Sequence, residues 1–349
     1  LYPRDRKLAA CLANYLAKVE GAASALRFVD SHRKFFADDA YCRNTIADGL
    51  SSIGAYEESA KIFESLFRRD RSNPRFLGSL LDAWFHLGRY AEVVAEVERW
   101  QERHLLNGSL ANEAGRACLD LDRGEEGLKW IRRPMELAPD NSKYADNYAV
   151  AFGRAGRHED GIRAAKQRLA SSGSPDRRRL LASIGIDHTC LGQHEEALKF
   201  YREAFVGFPE SDDTLVNLVV GLKWLDRYGE TVALAQSQRE ARGTMKPQRF
   251  WAEFSWALHK TARLVEEENV AREWGRHYPH DPDAVRATKR ALNDLKRPEE
   301  ALAFVRTWVD AHPEVAWGWR YLAEQNEMCE NKAGEVAAIA EASRLLPGS

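Results

Sequence analysis

The sequence predicts an all-α protein built from tandem pairs of helices joined by tight turns. Turn positions recur along the chain at steps of 34 residues, with only two longer steps of 36. Apolar residues between the turns follow helical spacing, and no segment alternates as a half-buried strand would. Most of the 23 glycines and 12 prolines fall between the predicted helices, where they act as stop signals.

The clearest copy of the repeated unit is the stretch GQHEEALKFYREAFVGFP, which begins at Gly192. Gly192 ends a first helix, because glycine adopts the left-handed conformation without steric cost. Ala197, Tyr201 and Ala204 follow at spacings of four and three residues, so they lie on one face of a second helix. Pro209 closes that helix, since proline has no amide hydrogen with which to continue it.

Stepping along the chain from Gly192 predicts ten turns and therefore about twenty helices. The predicted turn positions are Glu20, Gly54, Gly88, Asp122, Gly156, Gly192, Asp226, Ala262, Lys296 and Glu330. The prolines that close second helices are Pro139, Pro209, Pro279, Pro313 and Pro347. Pro134 departs from this pattern, because an interior proline is expected to bend or break the helix that contains it.

This spacing resembles the tetratricopeptide repeat (TPR), a helix-turn-helix unit of about 34 residues. The resemblance covers roughly residues 6–347. It implies a right-handed superhelical solenoid whose first helices line a concave surface. We therefore expect residues 1–349 to form a single TPR-like solenoid. The two longer steps fall near 171–175 and 242–247, where the solenoid could divide into sub-blocks and change its curvature.

Composition argues against several classes of protein. The net charge of −2 is unlike the strongly basic profile of a nucleic-acid binder. No apolar run approaches the roughly 18 residues that a membrane span needs. No signal peptide is visible, although the sequence begins at Leu1 rather than at methionine. The five cysteines are odd in number and lack close spacing, so we expect a reducing, cytoplasmic location.

The sequence contains no recognisable catalytic motif or phosphate-binding loop, so we expect neither enzyme activity nor a cofactor. Metal-ligand residue types occur in two places, namely Asp187, His188, Cys190 and His194, and the loop 277–283. The repeat register explains these residues as packing, turn or capping residues, and we expect no metal. Pairs of glutamates that follow several turns are expected to start second helices, where negative charge complements the helix dipole.

Candidate binding residues lie on the predicted first helices. Asn147 and Asn217 occupy equivalent places, where the TPR resemblance implies an amide that clamps the main chain of an extended peptide. Arginine and tryptophan, common anchors of protein recognition, accumulate towards the C-terminus. The predicted partner-binding residues are Asn147, Arg179, Asn217, Lys223, Trp224, Arg249, Trp256, Lys260, Arg286, Arg290, Trp317 and Arg320. Packing between helices is the alternative for Trp256 and Trp317, and Trp251, Trp274 and Trp308 are predicted core residues.

The favoured function is a protein–protein interaction scaffold whose concave groove binds an extended segment or a folded partner. The alternative is a sensor or substrate-recognition arm of a larger enzyme complex, such as a protease or a transferase, whose partner would be an enzyme domain or subunit. Single-stranded RNA binding is less favoured, because acidic side chains interrupt the basic residues of the first helices and a phosphate backbone would need an unbroken basic track.

Overall fold

The computed structural model describes residues 6–32, 39–102, 106–137, 141–171, 176–243 and 247–346, with the backbone alone at 6–10. Within these ranges the chain forms twenty α-helices and no strand. The helices follow one another in ten pairs, so the predicted all-α fold of tandem helical hairpins is confirmed.

The odd-numbered helices are the first members of the pairs and the even-numbered helices are the second members. The first helices are α1 (Arg6–Glu20), α3 (Ala40–Ser52), α5 (Pro74–His86), α7 (Gly108–Asp120), α9 (Ser142–Arg154), α11 (Arg177–Cys190), α13 (Asp212–Lys223), α15 (Gln248–Lys260), α17 (Pro282–Asp294) and α19 (Ala316–Met328). The second helices are α2 (Ala22–Ser31), α4 (Tyr56–Arg69), α6 (Tyr90–Glu102), α8 (Gly124–Leu137), α10 (His158–Ala170), α12 (His194–Gly207), α14 (Tyr228–Arg242), α16 (Leu264–His277), α18 (Pro298–Ala311) and α20 (Lys332–Leu345).

Nine of the ten predicted turn positions adopt the left-handed backbone conformation, with φ between 54° and 80°. Outside glycine this conformation costs about 1–2 kcal/mol, because Cβ approaches the following carbonyl oxygen. The non-glycine residues that adopt it are Asp122, Asp226, Ala262, Lys296 and Glu330. The first prediction, Glu20, is off by one residue. Gly21 alone connects α1 to α2 and carries the positive φ of 90°.

An arginine follows six of the turns directly and pairs with a carboxylate three residues later. The closest nitrogen–oxygen distances are 2.5–3.0 Å. The pairs are Arg89–Glu92, Arg123–Glu126, Arg157–Asp160, Arg227–Glu230, Arg263–Glu266 and Arg297–Glu300. Each carboxylate lies in the first turn of a second helix, where the helix dipole also favours negative charge. The hydrogen bonds from Arg297 lower the pKa of Glu300, which accords with a helix-initiating role.

The prolines act at the ends of helices more than inside them. Pro209, Pro279 and Pro313 lie two residues beyond the ends of α12, α16 and α18, as predicted. The predicted break at Pro134 does not occur, since α8 runs unbroken through it. Pro134 is in the last turn of α8, where losing one backbone hydrogen bond disturbs few neighbours. Pro139 and Pro347 lie outside the described residues, as do 172–175 and 244–246, so the predicted hinges stay predictions.

The chain divides into two compact units, residues 1–187 and 188–349, with the boundary inside α11. In the first unit, Phe63, Trp100 and a set of leucines from α4–α7 form the main core. The five free cysteines include the buried Cys42 and Cys118 of this unit. Each unit therefore has a core of its own.

Tryptophan and phenylalanine dominate the core of the second unit. Trp251 is fully buried and Trp274 is 2% exposed, which confirms both as predicted core residues. Trp308, the third predicted core residue, is only half-buried and packs at the edge of a separate core cluster that includes Val305 and Val309. Its indole nitrogen donates a hydrogen bond to the carbonyl oxygen of Pro279 at 3.0 Å.

Candidate functional site

A chain of side-chain hydrogen bonds links three successive first helices of the first unit. Asn147 on α9 donates from Nδ2 to Oδ1 of Asn112 on α7, at a distance of 2.9 Å. Arg179 on α11 donates from Nη1 to Oδ1 of Asn147, at 2.6 Å. Three consecutive repeats therefore bring polar side chains together on their first helices, and two of these residues, Asn147 and Arg179, were predicted.

These three side chains line an open cavity of about 350 Å³. Four cations surround it, Arg116, Lys143, Arg154 and Arg179, whereas Glu113 is the single carboxylate among the described lining residues. An excess of positive charge in a concave site attracts anionic groups and raises their local concentration. The cavity therefore favours a ligand that carries negative charge or many hydrogen-bond acceptors.

Two of these four cations form ion pairs within the protein, and Lys143 does not pair with a described residue. Arg116 contacts Glu113 at 2.8 Å, and Arg154 forms an ion pair with Asp120. Lys143 is exposed and makes no ion pair with any described residue. Its ammonium group is therefore available to a ligand without breaking an internal ion pair.

The pKa of Arg179 also reflects this environment. Burial lowers the pKa of Arg179, Asp176 opposes the shift, and the neighbouring Arg116 and Arg154 lower the pKa further. Arginine nevertheless stays protonated in proteins. Because Arg179 is exposed, a ligand can reach its guanidinium group directly.

Sequence reasoning predicted Asn147 and Arg179 but missed the other cations of this cavity. A signal for one of them was present, because Lys143 precedes its turn, Gly156, by as many residues as Arg179 precedes Gly192. The asparagine of α7 that bonds Asn147 is offset by one residue from the register. The period alone could therefore not identify it.

Of the predicted residues in and directly after α13, Lys223 and Trp224 have partners within the second unit. Lys223 Nζ lies 2.9 Å from a carboxylate oxygen of Glu253 on α15. Trp224 is 55% exposed, and its ring stacks on His194 with centroids 5.2 Å apart. Asn217 is half-buried on α13 and forms no side-chain hydrogen bond with the described residues. Trp224 thus presents the largest exposed surface of the three.

Trp256 is surrounded by cationic and aromatic groups of its own unit. Lys260 Nζ lies 4.8 Å and the guanidinium carbon of Arg290 5.1 Å from its ring centroid. His259 stacks on the same ring at 5.4 Å. Arg290 also donates to the fully buried Glu267, with Nη2 and Oε1 2.5 Å apart. Trp256 and Arg290 therefore join neighbouring repeats, and a role for them in partner binding stays a prediction.

The remaining predicted residues lie on the first helices of the last three repeats. They are Arg249, Arg286, Trp317 and Arg320. Arg249 and Arg320 are exposed, and Arg286 pairs with Asp283 on its own helix at 2.6 Å. Trp317 packs on Trp308 with ring centroids 4.3 Å apart, which is the packing alternative considered for it.

No group of three or more histidine, cysteine, aspartate or glutamate side chains in the described parts of the chain is placed to hold a metal ion. His188 Nδ1 lies 2.6 Å from Oε1 of Gln193, and its ring stacks on Phe200. His188 thus has a packing environment of the kind that the repeat register suggested. None of the described helices has the length and apolar character needed to cross a membrane.

Comparisons with known proteins give structural similarity only. Neither a scan against protein-family models nor a search of curated proteins finds a match. The chain is similar to the anaphase-promoting complex hetero-tetramer Cut9–Hcn1, with a TM-score of 0.46 and 14% identity over 90% of this chain and 58% of that one. It is also similar to YrrB, described as a TPR protein with an unusual peptide-binding site, with a TM-score of 0.38 and 16% identity over 54% of this chain and 95% of that one.

The helices of the chain itself define the class of protein. Ten helical hairpins follow one another, and nine of them turn at a left-handed residue in the predicted register. The chain therefore has the fold of a tandem helical-repeat protein, built from TPR-like hairpins. Repeat proteins of this kind present extended surfaces to their partners, which supports a protein-interaction scaffold.

Proposed function

We propose that the first unit binds an extended protein segment across α7, α9 and α11. The observation that carries this proposal is the hydrogen-bonded chain of Asn112, Asn147 and Arg179 beside an open cavity. An asparagine amide offers both a donor and an acceptor, which are the two groups that a main-chain peptide unit needs. A bound segment would exchange the existing side-chain bonds for bonds to its backbone, at a small net cost per bond.

The partner segment is expected to carry acidic side chains. Four cations surround the cavity against one carboxylate, and Lys143 has no ion pair among the described residues. The five free cysteines support a reducing compartment such as the cytoplasm as the place of this interaction. If the partner proves to be an enzyme subunit, the same surface would serve as its recognition arm.

The test starts with random peptides displayed on phage and selected on the full chain. The Kd values of synthetic copies are then measured by calorimetry. Asn147→Ala should weaken binding about tenfold, since one lost hydrogen bond with an unsatisfied partner costs about 1–2 kcal/mol. Asn217→Ala is the matched control, because it has the same register without the hydrogen-bond chain. Equal effects of the two variants, or unchanged binding by Asn147→Ala, would contradict the proposal.

A further inference from the structure

A second cavity, of about 410 Å³, opens in the second unit between α16, α17 and α18. Its walls include Gly275 on α16, Val285 on α17, and Phe304 and Trp308 on α18. Two second helices contribute most of this surface. The groove is therefore separate from the hydrogen-bonded asparagines, and it lies within one compact unit.

The position of Trp308 explains why this groove has an aromatic wall. Trp100 and Trp274 lie at the same distance after their turns as Trp308 does, and both are buried with at most 2% exposure. Trp308 is instead only half-buried, and its indole N–H is already satisfied by the carbonyl of Pro279 at 3.0 Å. Its ring also stacks on His312, with centroids 4.2 Å apart. The indole is therefore held at the wall, and its polar atom needs no further partner.

Gly275 leaves the opposite side of the groove empty. A Cβ atom added there would meet only Ala284 Cβ, at 3.9 Å, which is an ordinary van der Waals distance. The groove thus has space beside an apolar wall, and its volume lies in the range of about 300–1,000 Å³ typical of ligand sites. A large apolar side chain is the chemical group that such a space accommodates best.

The charged residues at the mouth of the groove determine which charge a ligand can carry beside its apolar side chain. The described residues that line the groove include two cations, Arg272 and Arg276, and no carboxylate. Arg272 lies over the ring of Phe304 at 5.1 Å and pairs with Glu268 at 3.0 Å. Arg276 is exposed and forms no ion pair with a described residue. Arg276 can therefore pair with an incoming anion without giving up an internal partner.

We propose that this groove binds a partner segment through one large apolar side chain, with an acidic residue beside it that pairs with Arg276. The contact is independent of the one proposed for the first unit. A repeat protein with both sites would hold one partner on its first helices and another on its second helices.

Three capped tripeptides serve as probes: acetyl-Glu-Phe-Glu-amide, acetyl-Glu-Ala-Glu-amide and acetyl-Lys-Phe-Lys-amide. The full chain is labelled with 5-fluorotryptophan and followed by fluorine NMR, and Trp308→Phe assigns the Trp308 signal. The acidic phenylalanine peptide should shift that signal and bind at least about tenfold more tightly than the alanine peptide, because burying a phenylalanine side chain is strongly favourable. The basic peptide should bind more weakly than the acidic one.

Two variants separate the apolar and charged parts of the groove. Gly275→Leu places a side chain in the empty space and should abolish the shift. Arg276→Glu changes only an exposed side chain, so it keeps the test valid if Gly275→Leu fails to fold, and it should reverse the preference between acidic and basic peptides. An unchanged preference, or equal binding of the phenylalanine and alanine peptides, would overturn the proposal. Self-association of the chain in sedimentation that Gly275→Leu removes would instead assign the groove to a second copy.

Discussion

Arg290→Met removes the guanidinium group that faces Glu267, a carboxylate with no exposed surface. The methionine keeps an unbranched apolar side chain against Trp256, so the change isolates the charge. Glu267 would retain His259 as its neighbour, with Nδ1 3.1 Å from Oε2. The buried carboxylate would then lack its permanent cation.

The magnitude follows from the burial of the two partners. Breaking a buried ion pair by removing one member costs about 3–5 kcal/mol, because the other charge stays buried. Arg290 is 28% exposed, which screens part of the interaction, so we expect about 3 kcal/mol, the lower end of that range. The double variant Arg290→Met/Glu267→Gln leaves no buried charge and should recover most of this loss.

The free energy of unfolding is measured by urea titration of the full chain, followed by circular dichroism. Arg286→Met is the matched control on the same helix, since Arg286 and Asp283 are 59% and 50% exposed and pair at 2.6 Å. We expect the control to lose less than about 1 kcal/mol. A loss below about 1 kcal/mol for Arg290→Met, or a double variant no more stable than the single one, would refute the reasoning.

Three further predictions concern turns, a thiol and a glycine contact. Ala262 and Gly192 both have a positive φ near 60–70°, which glycine adopts more easily than alanine. In urea titrations, Ala262→Gly should therefore raise the free energy of unfolding by about 1 kcal/mol, and Gly192→Ala should lower it by a similar amount. Changes of the same sign in the two variants would contradict this prediction. Burial raises the pKa of Cys118 to about 12, so the folded chain keeps a proton that the unfolded chain loses. Between pH 9 and 10, the free energy of unfolding should therefore fall by about 1 kcal/mol more in the wild type than in Cys118→Ala. The same dependence of this free energy on pH in both proteins would contradict the prediction. Gly153→Ala should lower the free energy of unfolding by about 3 kcal/mol, because the added Cβ would clash with the carboxylate of Asp187. The loss would be measured as a lower urea midpoint, and an unchanged midpoint would show that Asp187 moves freely.

Much of the fold could be predicted from the period alone. Residue identity would have found the turns at glycine but not those at Ala262, Lys296 or Glu330, whose left-handed conformation is unusual for their residue types. The 34-residue period identified these positions because the chain reverses its direction between the two helices of every hairpin, at the same point of each repeat. It failed at the first turn, where the connection between α1 and α2 shortens to Gly21 alone.

The candidate site could be predicted only in part, because periodicity identifies equivalent positions but not contacts between repeats. Asn147 and Asn217 are equivalent in sequence, yet Asn147 alone of the two joins a hydrogen-bonded chain. The difference comes from the neighbouring first helices, which supply an asparagine and an arginine around Asn147. Likewise, the attachment of Arg290 to Glu267 depends on the preceding repeat.

Buried charge pairs between neighbouring repeats also distinguish the native order of the repeats from other orders. Small and apolar residues recur at equivalent places in several hairpins, a pattern that by itself would let a hairpin pack on a repeat that is not its neighbour. Two buried carboxylates each have a partner in the adjacent repeat: Asp187 on α11 lies 2.9 Å from His158 on α10, and Glu267 on α16 binds Arg290 on α17. Packing in another order would bury such a carboxylate without this partner from the adjacent repeat, which for Glu267 costs about 3 kcal/mol. Lys143, at an open cavity, forms no ion pair with the described parts of neighbouring repeats. A side chain of this kind can therefore be substituted to suit a different binding partner without removing such a pair.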